Sequence, residues 1–297
     1  MVSTPTDPGL VTSSAAVALL NPVADAGRAA ELRRPVAAWL SRHAPGVSLL
    51  VPDSILEARA MLTILAPRTR VVLIGGDGTV SAMLPALLRG GLKVGLVPAG
   101  RHNLLARTLG LDALTWSQAL VFALRSPTGP VDVGLLDTGE TVTHFISQVR
   151  VDRAGGLGRW GAAGWSVWAD GQRLPTGTAR RVLLCNTLPQ WSTPEGLPVE
   201  LNDGRFDAVV VGGAGRWLRW LRPLRPLGLS SAAAPVPHCQ GRLLQVESER
   251  PLSLRVDGEL LLAASQRVEI ELLPRALDLA GSHVAILDPH RFVDTTW

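Results

Sequence analysis

Gly75-Gly76-Asp77-Gly78-Thr79 stands between an apolar run at 71–74 and an amphipathic stretch at 79–89. A strand that passes through glycines into a helix leaves the helix's first amides free beside its positive dipole end, so this segment predicts a phosphate-binding loop. A carboxylate there would repel a bare phosphate, and Asp77 therefore suggests Mg²⁺ between the two, or a hydroxyl to be polarised. A tight surface turn with Asp77 as N-cap accounts for the same residues. Pro98-Ala99-Gly100-Arg101-His102-Asn103 forms a second loop of this kind, after an apolar run at 94–97 and before Leu104, Leu105 and Leu109. Side by side, the two loops would frame one crevice at the carboxyl edge of a parallel sheet. Further along, Asp257-Gly258-Glu259 sets two carboxylates two residues apart. An extended chain would point both to one side, where they can divide the work of orienting and accepting a proton; a plain Asp-Gly hairpin turn is the other reading.

The elements that must hold these residues follow from periodicity. Short apolar runs at 17–20, 47–51, 71–74 and 94–97 alternate with helical stretches at 29–41, 54–65, 79–89, 103–109 and 114–123. That alternation predicts an α/β region with a Rossmann-like parallel sheet covered on both faces. After about residue 130 apolar and polar residues alternate in VDVGLLD, THFISQVRVD, RRVLLCN, DAVVVGG, RLLQVES, LSLRVDGELL and RVEIELL, which predicts a mainly antiparallel β-sandwich with one helix at 162–169. The expected organisation is a disordered tail at 1–14, an α/β nucleotide-binding domain at 15–130 and a β-rich substrate domain at 131–297, whose C-terminal segment can return to the first.

Composition narrows the function. The 297 residues are 46% hydrophobic with a net charge of +4, and none of their apolar stretches is long enough to span a bilayer. Two cysteines and a start without a basic n-region make the cytoplasm the expected compartment. Lys93 is the single lysine, tyrosine is absent and there are four phenylalanines, so the aromatic platforms that read single-stranded nucleic acid are not expected.

The ordered motifs resemble a known family. GGDGT, then P-x-G-x-x-N-x-x-A-R-x-L-G from Pro98 to Gly110, is similar to the diacylglycerol kinase catalytic domain of bacterial lipid kinases, sphingosine kinases and ceramide kinases. Asn21-Pro22 with Gly27 is similar to that family's opening loop, Asp203-Gly204-Arg205-Phe206-Asp207 to its D-G-x-(L/F)-D, and Asp257-Gly258-Glu259 to its D-G-E. The resemblance implies ATP and Mg²⁺ as cofactors and a diacylglycerol-like or sphingoid lipid as substrate. Nucleotide would be bound by Asn21, Gly75, Gly76, Asp77, Gly78, Thr79, Gly100, Arg101 and Asn103. Glu259 would be the general base, with Asp257 and Asp77 beside it in catalysis, and a structural Mg²⁺ would take the Asp203 carboxylate with main-chain carbonyls of Glu200 and Arg205. The expected partners are nucleotide and lipid at a membrane surface, with a homodimer allowed and nucleic acid not.

This chain departs from the family in its second loop, where Arg101 and His102 stand in place of the usual threonine. A guanidinium there can reach the phosphates itself or fill the nucleotide pocket. A Gly-rich stretch expected after Asn186 is absent, with Pro189 and Pro194 in that region. Two rival readings follow: a protein of the same fold that binds lipid or nucleotide without catalysis, and an NAD kinase, which shares GGDGT. A repeat at 216–227 of Arg, Trp or Pro, and Leu is the densest candidate for contact with anionic headgroups, with a packed helix as the other reading.

Overall fold

The computed structural model describes residues 16–153, 165–174, 179–186, 201–212, 238–261 and 265–282. Glu200, the proline segment at 189–194, the repeat at 216–227 and the expected tail lie outside them. The chain opens with β1 (Ala16–Leu20), a 3₁₀ stretch (Ala24–Leu32), α1 (Arg33–His43), β2 (Ser48–Leu50), α2 (Ile55–Thr63), β3 (Arg70–Gly75), α3 (Asp77–Gly90), β4 (Lys93–Pro98), α4 (Leu104–Thr108), a 3₁₀ turn (Leu111–Ala113) and α5 (Trp116–Arg125). The four strands pair in parallel in the order β2-β1-β3-β4. Helices cover both faces of such a sheet, so Val71, Val72, Leu73 and Ile74 of β3 are all buried although they alternate in direction. Local signals set the helix ends: Ser54 caps α2 through the Glu57 amide, Thr115 and Gln118 form a capping box on α5, and α3 begins at Asp77 with Gly76 as its N-cap. The expected helix over 29–41 is 3₁₀ as far as Leu32 and α-helical from Arg33, and it follows a turn in which Asp25, Ala26 and Gly27 take left-handed backbone.

The remaining elements are β-strands: β5 (Thr128–Asp137), β6 (Val142–Phe145), β7 (Gln148–Arg153), β8 (Trp165–Ala169), β9 (Gln172–Arg173), β10 (Ala179–Cys185), β11 (Phe206–Gly212), β12 (His238–Gly241), β13 (Leu243–Ser248), β14 (Leu252–Val256), β15 (Glu259–Leu261) and β16 (Arg267–Ala280). A separate sheet runs β12-β11-β10-β7-β14-β15, antiparallel throughout. It packs against the β13, β8, β5 and β16 end of the first sheet, around Phe145, Val151, Phe206, Leu254 and Ile270. The helix expected at 162–169 is corrected: 165–169 form β8, paired antiparallel with β13. Trp165, Val167 and Ala169 are buried and their neighbours are not, a period of two that a helix cannot satisfy.

β16 joins the two parts. Its first half pairs antiparallel with β13 and β5; after an irregularity between Leu273 and Leu277, its second half pairs with β5 and lies parallel to β4, Asp278 opposite Lys93. Ile270 therefore belongs to the core between the sheets, while Leu279 belongs to the core of the parallel part. Among the described residues no helix is long and apolar enough to cross a membrane.

One strand shared by two cores should make them melt together. Ile270→Ala and Leu279→Ala, at fully buried positions, should each cost about 2–5 kcal/mol and lower one common transition in calorimetry. Two separate transitions, of which each variant moves only one, would contradict the coupling.

Candidate functional site

Three loops meet at the carboxyl ends of β1, β3 and β4, held by backbone and side-chain hydrogen bonds within and between them. The Ala99 amide donates to the Gly75 carbonyl at 2.9 Å, and a Cβ added at Gly76 would lie 2.9 Å from the Gly100 Cα. The two glycine loops thus touch backbone to backbone, at a distance no side chain would allow. Asn103, in left-handed conformation, closes its own loop: Oδ1 accepts from the Gly100 amide at 3.0 Å and Nδ2 donates to the Gly100 carbonyl at 2.7 Å. Asn21 ties in the first loop, its Nδ2 donating to Thr79 Oγ1 at 2.8 Å and its own amide to the Ile74 carbonyl at 3.0 Å.

Asp77 is buried, and neither an exposed turn residue nor the N-cap of its own helix. Its carboxylate accepts the Leu104 amide at 2.8 Å and the Leu105 amide at 3.0 Å, and so caps α4 from the first position of α3. Burial pushes its pKa up, against the pull of those two amides and the charge of His102. Arg101 lies across the loops with its side chain 69% exposed, and its Nε stands 3.8 Å from Oδ1 of Asp25 in the loop after β1.

The second sheet supplies the remaining carboxylates, in a geometry that corrects the extended-chain expectation. Asp257 and Gly258 have φ of 46° and 91° and form the tight turn between β14 and β15, where Val256 faces Glu259. Asp257 consequently turns inward and is 4% exposed. Its Oδ2 accepts from Ser81 Oγ of α3 at 2.7 Å and from the Ile146 amide at 3.0 Å; Oδ1 accepts from the amides of Ser147 and Gln148, both at 2.8 Å. Burial raises its pKa to about 6, opposed by these four donors. Glu259 is exposed and lies over the start of α3: a Cβ at Gly78 would come within 3.1 Å of Glu259 Oε1. The turn therefore brings Glu259 to the glycine loop before α3, while Asp257 serves to hold the turn there.

The third motif stands elsewhere. Asp203 is exposed and its Oδ1 accepts the Arg205 amide at 2.9 Å. Beneath it the fully buried Asp132 of β5 accepts from the Gly204 amide at 2.8 Å and the Arg275 amide at 2.7 Å. Among the described residues no three His, Cys, Asp or Glu side chains gather as a metal centre. Glu200, whose main-chain carbonyl belongs to the expected Mg²⁺ ligand set with Asp203 and Arg205, lies outside the described residues.

Ser81 and Asp132 are positioning residues that motif reading passes over. Ser81 lies one helical turn after Asp77, and Asp132 interrupts a buried run in β5, an acid flanked by Val131 and Val133. An ionisable residue inside such a run is the available signal, since a buried carboxylate requires donors.

Because Asp77 caps a helix, Asp77→Ala should lower stability by about 1–3 kcal/mol, with Asp77→Asn milder because one acceptor survives. Urea denaturation checks this, and an unchanged midpoint for the alanine variant would contradict the capping role.

Residues 15–136 match the diacylglycerol kinase catalytic domain family. A diacylglycerol kinase from Bacillus anthracis str. Sterne superposes with a TM-score of 0.68 at 21% identity, over 91% of this chain and 98% of that one. An NAD kinase from Archaeoglobus fulgidus, solved in complex with ATP, superposes with a TM-score of 0.54 at 12% identity, over 93% and 99%. Such likenesses establish the fold, and with it the expected α/β region followed by an antiparallel sheet. Residues 15–136 are thus similar to the diacylglycerol kinase catalytic domain, and the chain has a fold that it shares with both of these kinases.

Proposed function

We propose that the chain is an ATP-dependent lipid kinase that phosphorylates a hydroxyl of a diacylglycerol-like or sphingoid lipid. The observation that carries this reading is the position of Glu259, a carboxylate over Gly78 at the N-terminus of the phosphate-loop helix. No hydrogen bond to the Glu259 carboxylate is formed among the described residues, so it is free to accept a proton from an acceptor hydroxyl. The loops at Gly75, Gly76, Gly78 and Gly100 bring backbone together at the start of α3, with Thr79 over Gly75, Asn103 over Gly100 and Glu259 over Gly78, and the N-terminus of that helix favours an anion such as a polyphosphate. ATP bound there supplies the phosphoryl group, with Mg²⁺ as counter-ion of its phosphates. Arg101, at the rim, is available to the phosphates. Residues 15–130 then act as the nucleotide-binding part and 131–297 as the part that presents the lipid. Leu260, half exposed beside Glu259, gives an apolar contact suited to an acyl or sphingoid chain at a membrane surface.

A second reading, binding without catalysis, draws on Arg101, which stands in the family's threonine position and pairs with Asp25. Glu259→Gln separates the two. With radiolabelled ATP and a panel of lipids in mixed micelles, the variant should lose at least about a hundredfold in turnover while calorimetry shows unchanged binding of an ATP analogue. Nucleotide binding by the wild type with no lipid phosphorylated would favour the second reading.

A further inference from the structure

We infer that Asp25 is a positioning residue for Arg101, holding its guanidinium over the phosphate loop until the polyphosphate of a nucleoside triphosphate takes it; this rests on the nucleotide-binding reading above. β3 lies between β1 and β4, so an ion pair between the loop after β1 and the loop after β4 joins the two flanks of GGDGT. The Asp25 carboxylate divides its oxygens between two cations, Oδ1 facing Arg101 Nε at 3.8 Å and Oδ2 accepting from Arg28 Nη1 at 3.3 Å. Both guanidiniums are mostly exposed, whereas the Asp25 side chain is 19% exposed. A partly buried acid beside two exposed cations is the arrangement in which a cation can leave for another anion.

Backbone conformation supports the assignment. Asp25, Ala26 and Gly27 occupy the left-handed region in succession, with φ of 49°, 56° and 91°. Alanine has no side-chain hydrogen bond to favour that region, so the turn is costly unless something fixes it. What the turn achieves is to set the Asp25 carboxylate between Arg28 and Arg101. An exposed pair at this distance contributes at most about 1 kcal/mol, a barrier that a triphosphate with three or four negative charges overcomes. Asp25 therefore orders Arg101 in the empty site and competes weakly with the ligand for it.

The test uses Asp25→Asn, because asparagine tolerates left-handed backbone and leaves the turn intact while removing the charge. Calorimetric titration with a non-hydrolysable ATP analogue, and separately with inorganic tripolyphosphate, compares wild type, Asp25→Asn, Arg101→Ala and the double variant. Asp25→Asn should tighten both ligands, by no more than about fivefold, the factor equivalent to about 1 kcal/mol. Arg101→Ala should weaken both, and in that background Asp25→Asn should bring no gain. A gain that persists without Arg101 would show Asp25 acting by its own charge and would overturn the inference, as would unchanged or weaker binding in Asp25→Asn. Failure of the wild type to bind either ligand would instead overturn the nucleotide reading and this inference with it.

Discussion

The candidate site depends on one buried carboxylate. Asp257 accepts three consecutive amides, Ile146 and Ser147 between β6 and β7 and Gln148 at the start of β7, together with a hydroxyl from α3. Hydrogen bonds to a charged acceptor are worth about 1.5–3 kcal/mol each, and losing the acceptor would leave buried amides unpaired. Desolvation works against the anion and the four donors work for it, with the balance near pH 6. Because the bond to Ser81 crosses from the antiparallel sheet to α3, the distance between Glu259 and that helix is set by a contact rather than by a linker.

The three loops on the other side follow a different economy. Asp77 and Asn103 spend their polar atoms on neighbouring backbone and Asn21 donates to the Thr79 hydroxyl, which organises the glycine loops. Preorganisation of this kind lowers the entropic cost of binding and of reaction. It also separates residues that a motif merges: Asp77 is buried and bonded to the α4 amides, whereas Glu259 and Arg101 are exposed at the rim.

Much of this was legible in the residues, in proportion to how local each interaction is. Glycine loops between apolar runs and helices are recorded within about 20 residues of chain, and so were the parallel region and the alternation of the later strands. Partners distant in sequence were not. Asp77 finds its amides 27 and 28 residues later, and Ser81 meets Asp257 across 176. Assuming extended backbone at Asp257-Gly258-Glu259 put both carboxylates on one side; two successive positive φ values put them on different tasks. The five residues of β8 were misread because Trp and Ala suit either element until a pairing strand, here β13, decides between them.

The path of β16 places an order on how the protein can be made. β4 emerges early in synthesis with one edge paired to β3, and its other edge waits for Asp278 and Leu279. Roughly 180 residues intervene, which at about 5–20 residues per second is about 10–35 seconds of elongation. For that interval the parallel sheet presents an open, apolar edge next to the nascent loops, the kind of surface that pairs with other chains. A fold that closes from its far end thus leaves that edge unpaired until its last strand is made, however stable the finished molecule becomes.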